Sequence, residues 1–117
     1  MGGLGAGAPR ALRRDHVKGR FGDVIGRQLD LFEREEADLI ADCEAAERAY
    51  DEAERDVAEE LYGDYQDLVE TGTELLAGLR DNFASTLDEE TAEEYEEEFN
   101  RAVLRRIPRF ALEIEDT

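Results

Sequence analysis

The stretch Asp23-Val24-Ile25-Gly26-Arg27-Gln28-Leu29-Asp30-Leu31-Phe32-Glu33-Arg34 carries two patterns in one phase. Asp23 stands four residues before Arg27, and Asp30 four before Arg34. Each acid-then-arginine pair at that spacing supports a helix by about 0.2–0.5 kcal/mol. Ile25, Leu29 and Phe32 recur at the spacing of one helical face. The pairing returns at Glu44–Arg48 and Asp51–Arg55, with Ala37 and Ala41 in the slot between. All the first members fall on one seven-residue grid. On that grid Leu29, Cys43, Tyr50 and Val57 take position a, and Ile25, Phe32, Leu39, Ala46 and Ala53 take position d. The charged pairs take b and f, the side turned from a partner. A seam and a charged back that agree in phase predict one helix over about 23–62.

Glu36 interrupts the seam at an a position. Either it snorkels to the rim, or it pairs with an arginine across the interface and fixes register. Cys43, Ala46, Ala49 and Ala53 keep the middle of the seam small, so a second helix can approach closely there.

Downstream the grid slips at Leu61, and Gly63-Asp64 reads as a stop and restart. The alternative is a stutter in one helix that runs on to residue 84. A helix over 65–84 would place Tyr65, Leu68, Leu75 and Leu79 on one line. Gly72 and Gly78 weaken it by about 1 kcal/mol each relative to alanine. Ser85-Thr86-Leu87-Asp88 marks a clearer boundary. Asp88 suits an N-cap, Glu89 and Glu90 follow in the first turn, and Arg105 and Arg106 lie near the other end, the polarity a helix dipole favours. Pro108 ends this helix, expected over 89–107. The tail 108–117 alternates apolar and polar residues, the pattern of a short strand or an extended strip on a neighbour.

Residues 1–22 differ from the rest. Six glycines lie among Arg10, Arg13, Arg14, Lys18 and Arg20, opposed only by Asp15. Glycine at this density resists regular structure. The expectation is an extended arm whose Leu4, Leu12, Val17 and Phe21 anchor on another subunit, with its bases on acidic faces there. The first residues lack a basic leader and an apolar core, so they do not read as a secretion signal. Ala6 stands where a myristoylation signal from Gly2 needs Ser or Thr.

The fold class expected is all-α: a long helical hairpin or coiled-coil-like bundle of two to three helices, with an extended glycine-rich arm and a short extended tail. The 117 residues fit one domain, here 1–22 arm, 23–107 helical body and 108–117 acidic tail. A chain this short has a thin core, two or three helices deep or shared with a partner. The net charge is −18, from 32 acids and 14 bases of which only Lys18 is lysine. Such a composition suits high salt, where a Debye length of about 3 Å at 1 M relieves repulsion. The alternative is a GC-rich genome that favours arginine codons.

Little here points to catalysis. One histidine, His16, excludes a histidine-rich metal site or a triad built on histidine within one chain. It reads as a solvated arm residue. Cys43 is the one cysteine, so no intrachain disulfide forms. On the seam it reads as a small buried hydrophobe. There is no Glu-x-x-His pair, EF-hand loop, phosphate loop or dinucleotide fingerprint. Gly22-x-x-x-Gly26 matches a small-xxx-small spacing but states only that a backbone could approach. No run of about 18 apolar residues suggests a membrane span. The expected function is therefore a non-enzymatic assembly subunit, with no cofactor or metal. It would act through protein partners, by self-association or in a larger particle such as a virion, and lie in the cytoplasm or in that particle. The alternative is an acidic decoy that imitates nucleic-acid phosphates for a basic protein. Direct nucleic-acid binding is expected only through the basic arm.

Overall fold

The structure, a computed structural model, describes residues 19–111. Leu4, Leu12, Val17, most of the arm and the tail from 112 lie outside the described residues. The described residues form four helices: α1 (Gly22–Glu35), α2 (Ala37–Asp51), α3 (Arg55–Ala84) and α4 (Glu89–Arg106). A 3-10 turn, Pro108–Phe110, follows α4. Among the described residues there is no strand.

The all-helical character agrees with the hydrophobic periodicity, but the helix count and boundaries differ from the two to three helices expected. The single helix of 23–62 is instead α1, α2 and the first turns of α3. At Glu36 the axis bends rather than stops. Its N–H donates to the Phe32 carbonyl at 2.8 Å and its own carbonyl accepts from Ile40 at 2.9 Å. Its φ of −108° and ψ of 28° leave the helical region. The residue that interrupted the seam thus marks a bend.

The true break falls at Glu52–Glu54, where no glycine or proline stands. Asp51 and Glu52 bring negative charge to the negative end of α2, which is unfavourable. Glu54 and Asp56 bring it to the positive end of α3, which is favourable. Glu54 takes the extended N-cap conformation, φ −71° and ψ 155°. The expected break at Gly63-Asp64 is absent, and α3 continues unbroken for 30 residues. Nothing lies within 4 Å of where a Gly63 Cβ would stand, so the glycine serves no close contact there. Its cost in helix propensity is outweighed by the packing of α3 on α2 and α4.

Asp88 caps α4 by accepting the Thr91 N–H on Oδ2 at 3.3 Å; the Thr91 hydroxyl first, and then this N–H, hold its carboxyl below the usual range. The tail begins as a 3-10 turn and not as the extended strip expected. Pro108 opens that turn and Phe110 drives into the core, 2% exposed.

The body is thin, 21 Å along its short axis and 60 Å along its long one. That thickness matches two helix layers. Its core gathers Ile25, Leu29 and Phe32 from α1, Leu76 and Ala84 from α3, and Tyr95, Phe99 and Val103 from α4, closed by Phe110 and Ala111. Phe32 meets Phe110 edge-on at 5.8 Å, and Tyr95 lies 4.7 Å from Phe83 and 5.9 Å from Phe99. Gly72 lets Phe110 approach α3: a Cβ there would stand 2.3 Å from the Phe110 ring. The single Thr73 hydroxyl proton is shared between the Val69 carbonyl at 3.0 Å and the Phe110 carbonyl at 3.3 Å. The 3-10 turn therefore works as a plug between α1, α3 and α4.

Two buried polar side chains are tied into this core, whereas Nη1 of Arg109 is buried with no hydrogen-bond partner. Arg80, 5% exposed, donates to Asp81 at 2.9 Å and to Asn100 at 3.0 Å. Tyr95, fully buried, donates its hydroxyl to Gln28 at 2.9 Å. Burial pushes its pKa up to about 12, because the phenolate would be desolvated.

None of the four expected acid–arginine pairs along 23–55 closes among the described residues. Asp30 instead reaches across to Arg106, which also holds Glu33 at 2.8 Å. These two carboxylates raise the Arg106 pKa. One residue of the b/f face of α1, Asp30, thus makes a contact with α4.

Candidate interaction surface

The structure divides the predicted seam into two parts. Ile25, Leu29 and Phe32 are buried at 5% exposure or less, and Cys43 is wholly buried. Leu39, Ala46 and Ala53 are half-buried. All of these positions up to Cys43 are covered by helices of the same chain, so that part of the seam is not left open for a partner. Burial pushes the Cys43 thiol pKa up, opposed by nearby Arg109. Phe21, expected to anchor on another subunit, packs on its own chain. Its ring meets Tyr95 edge-on at 5.4 Å and its N–H donates to Glu98 at 2.9 Å.

The far part of the seam behaves differently. Tyr50 is 38% exposed and Val57 is 41% exposed. They lie at the end where α2 turns into α3. Tyr62, on the first half of α3, is 43% exposed. Tyr50, Tyr62 and Tyr65 form a ladder, with ring centroids 5.2 Å and 6.5 Å apart. Ring pairs at such separations attract beyond their burial.

One end of the ladder holds an arginine. Arg109, delivered by the 3-10 turn, places its guanidinium 5.7 Å from the Tyr65 centroid. Its Nη2 donates to Glu47 on α2 at 3.1 Å. The cation therefore has an aromatic face on one side and a carboxylate at its edge, the two groups that attract a guanidinium most. Burial raises the Tyr65 pKa, and Arg109 opposes that shift. A groove of about 350 Å³ runs alongside, lined by Tyr62, Tyr65, Gln66, Asp67, Val69 and Glu70, with Arg109 at its head.

Sequence reasoning placed Tyr50 and Val57 on an interface. It missed the roles of Tyr62, Tyr65, Glu47 and Arg109. The tyrosines stand at positions 50, 62 and 65, a spacing that no single helix aligns, since the turn at 52–54 brings the first beside the second. Arg109 carried no signal, because an extended tail would have pointed it elsewhere.

The surface around these groups is acidic. Residues 19–111 hold 28 acids and 10 arginines, a charge of −18. Among the described residues, no group of three or more His, Cys, Asp or Glu side chains is placed to hold a metal ion. No described helix is long and apolar enough to cross a membrane. Comparison with protein-family models, curated proteins and solved structures found no match.

Proposed function

We propose that this chain is a non-enzymatic assembly subunit, working by protein–protein contact through the open end of the α2–α3 hairpin. The observation that carries this reading is that Tyr50, Val57 and Tyr62 are exposed together where α2 turns into α3, with the Tyr50 and Tyr62 rings 5.2 Å apart. Aromatic side chains of this kind are enriched where interfaces form, because a tyrosine buries a large ring and keeps a polar tip. The acidic rim selects a partner that brings positive charge. The working location is the cytoplasm or a larger particle, a virion being one case.

Size-exclusion chromatography with light scattering tests the proposal. The full chain should run as more than one copy at micromolar concentration, or should do so once its partner is present. Tyr50→Ser with Tyr62→Ser should remove that association while circular dichroism stays unchanged. A full chain that stays monomeric, and that instead displaces DNA from a basic protein, would favour the acidic decoy over the assembly subunit.

A further inference from the structure

Two cavities meet at one pair of side chains. The groove of about 350 Å³ beside Tyr62 is bounded by Tyr65 and Arg109. A second cavity, of about 410 Å³, lies between α2 and the 3-10 turn, against Ile40, Glu44 and Glu47 on one side and Pro108 and Phe110 on the other. It too is bounded by Tyr65 and Arg109, so these two side chains form the wall between the cavities.

The arginine half of that wall is held by little. Among the described residues, the one hydrogen bond from the 3-10 turn to α2 is that of Arg109 Nη2 to Glu47, at 3.1 Å. Nη1 of the same guanidinium is buried with no hydrogen-bond partner, although the side chain as a whole is 24% exposed. An unpaired donor out of water costs free energy that it recovers on reaching solvent. Removing the one carboxylate that pairs such a cation leaves an uncompensated charge, whereas replacing both partners with apolar groups of similar volume costs little. The closed position of Arg109 therefore depends on Glu47.

Behind the wall lies Cys43. It stands three residues after Ile40 and four before Glu47, on the face of α2 that lines the second cavity, and it is wholly buried. We infer that Arg109 is a gate: paired with Glu47 it separates the two cavities, and released from Glu47 it swings to solvent and joins them into one cleft that reaches Cys43. The gate works within one chain and does not depend on the assembly function.

The test reads the opening through the thiol. Cys43 is the one cysteine, so a thiol reagent reports on this place alone. Methyl and benzyl methanethiosulfonate are both neutral and differ in size. Each forms a mixed disulfide with the Cys43 thiolate and releases methanesulfinate. The ratio of their rates cancels the thiolate fraction, which Arg109, Glu44 and Glu47 all alter. In the full-length wild type the benzyl reagent should react much the more slowly. Glu44→Gln/Glu47→Ala removes both carboxylates of the cavity and should raise the benzyl-to-methyl ratio at least about fivefold, with circular dichroism and urea midpoint unchanged. Adding Arg109→Met should restore the wild-type ratio, because methionine fills the wall without a charge. In 1 M KCl, which screens the pair, the wild-type ratio should rise and that of Arg109→Met alone should not. Equal ratios in the wild type and Glu44→Gln/Glu47→Ala overturn the gate. So does a raised ratio that Arg109→Met fails to reverse, since the carboxylates would then hold the fold and not the arginine. The same salt response with and without Arg109 overturns it as well.

Discussion

The two halves of α3 belong to one unbroken helix, yet they have different surroundings. From Glu70 to Ala84 the helix lies against α4 and receives the 3-10 plug, and Gly72, Thr73, Leu76, Arg80 and Ala84 are all buried. From Arg55 to Val69 it has α2 as its main neighbour, and no residue in that half is fully buried. The closed half specifies a single arrangement through ring packing and satisfied polar groups. The open half leaves aromatic surface exposed, which a chain with a sufficient core elsewhere tolerates and an interface requires. On the function proposed above, stability and recognition fall at opposite ends of one molecule, and substitutions can separate them.

The sharpest way to break this division is at the plug. Phe110→Ala removes a ring that is 2% exposed and leaves a cavity between Phe32 and Gly72. It should cost about 3–5 kcal/mol. Tyr62→Ala, at the open end, should cost under about 1 kcal/mol, because its ring is only partly covered. Urea unfolding followed by circular dichroism checks both. Equal losses would mean that the ladder is part of the core and not a free surface.

Next in size is Gly72→Ala. The new Cβ would meet the Phe110 ring at 2.3 Å, so the ring or the helix must shift. Overpacking of this kind costs about 1–3 kcal/mol, more than the helix-propensity gain of about 1 kcal/mol. The expected outcome is a net loss with an unchanged helical spectrum at low temperature.

A pH measurement sharpens the same comparison. Tyr95 sits in the closed half with its pKa raised to about 12, above the ordinary value of 10.0. A group whose folded pKa is raised contributes stability that is full below the unfolded pKa and is lost as pH rises through the folded one. Stability should therefore fall between pH 10 and about 12. Tyr95→Phe should flatten that fall, though it starts lower because Gln28 loses its hydroxyl partner. The fall is read as a shift of urea midpoint with pH. A slope that Tyr95→Phe leaves unchanged would place its cause in another group.

Much of the closed half was legible in the sequence. Ile25, Leu29 and Phe32 announced a helical face, and the Asp88 cap with Glu89 and Glu90 marked the start of α4. What the sequence hid was long-range. Glu36 broke the seam visibly, but only the fold decides whether such a residue bends the axis or crosses an interface. The turn at Glu52–Glu54 has no glycine or proline and is legible only as acids badly placed for one helix end and well placed for the next. Gly63 misled because local propensity favours a break there, while tertiary packing carries the helix through it. Arg109 and the ladder were invisible for the same reason: their partners are brought together by a turn and a plug, not by spacing along the chain.

The smallest effect expected comes from the glycine that misled. Gly63 lies in the open half of α3 and Gly72 in the closed half, nine residues along the same helix. Glycine costs a helix interior about 1 kcal/mol relative to alanine, through the backbone freedom it loses on folding. At Gly63 a Cβ would meet nothing within 4 Å, so there is no clash to set against that gain. Gly63→Ala should therefore stabilise the chain by about 0.5–1 kcal/mol, where Gly72→Ala destabilises it. For a domain of this size that is a rise of a few degrees in the thermal midpoint, about 4 °C at the lower end of the usual scale. A loss of stability at Gly63 would show that a Cβ is not free there and that something packs on the open half. Measured above and below the concentration at which copies associate, that loss should then appear only in the associated state.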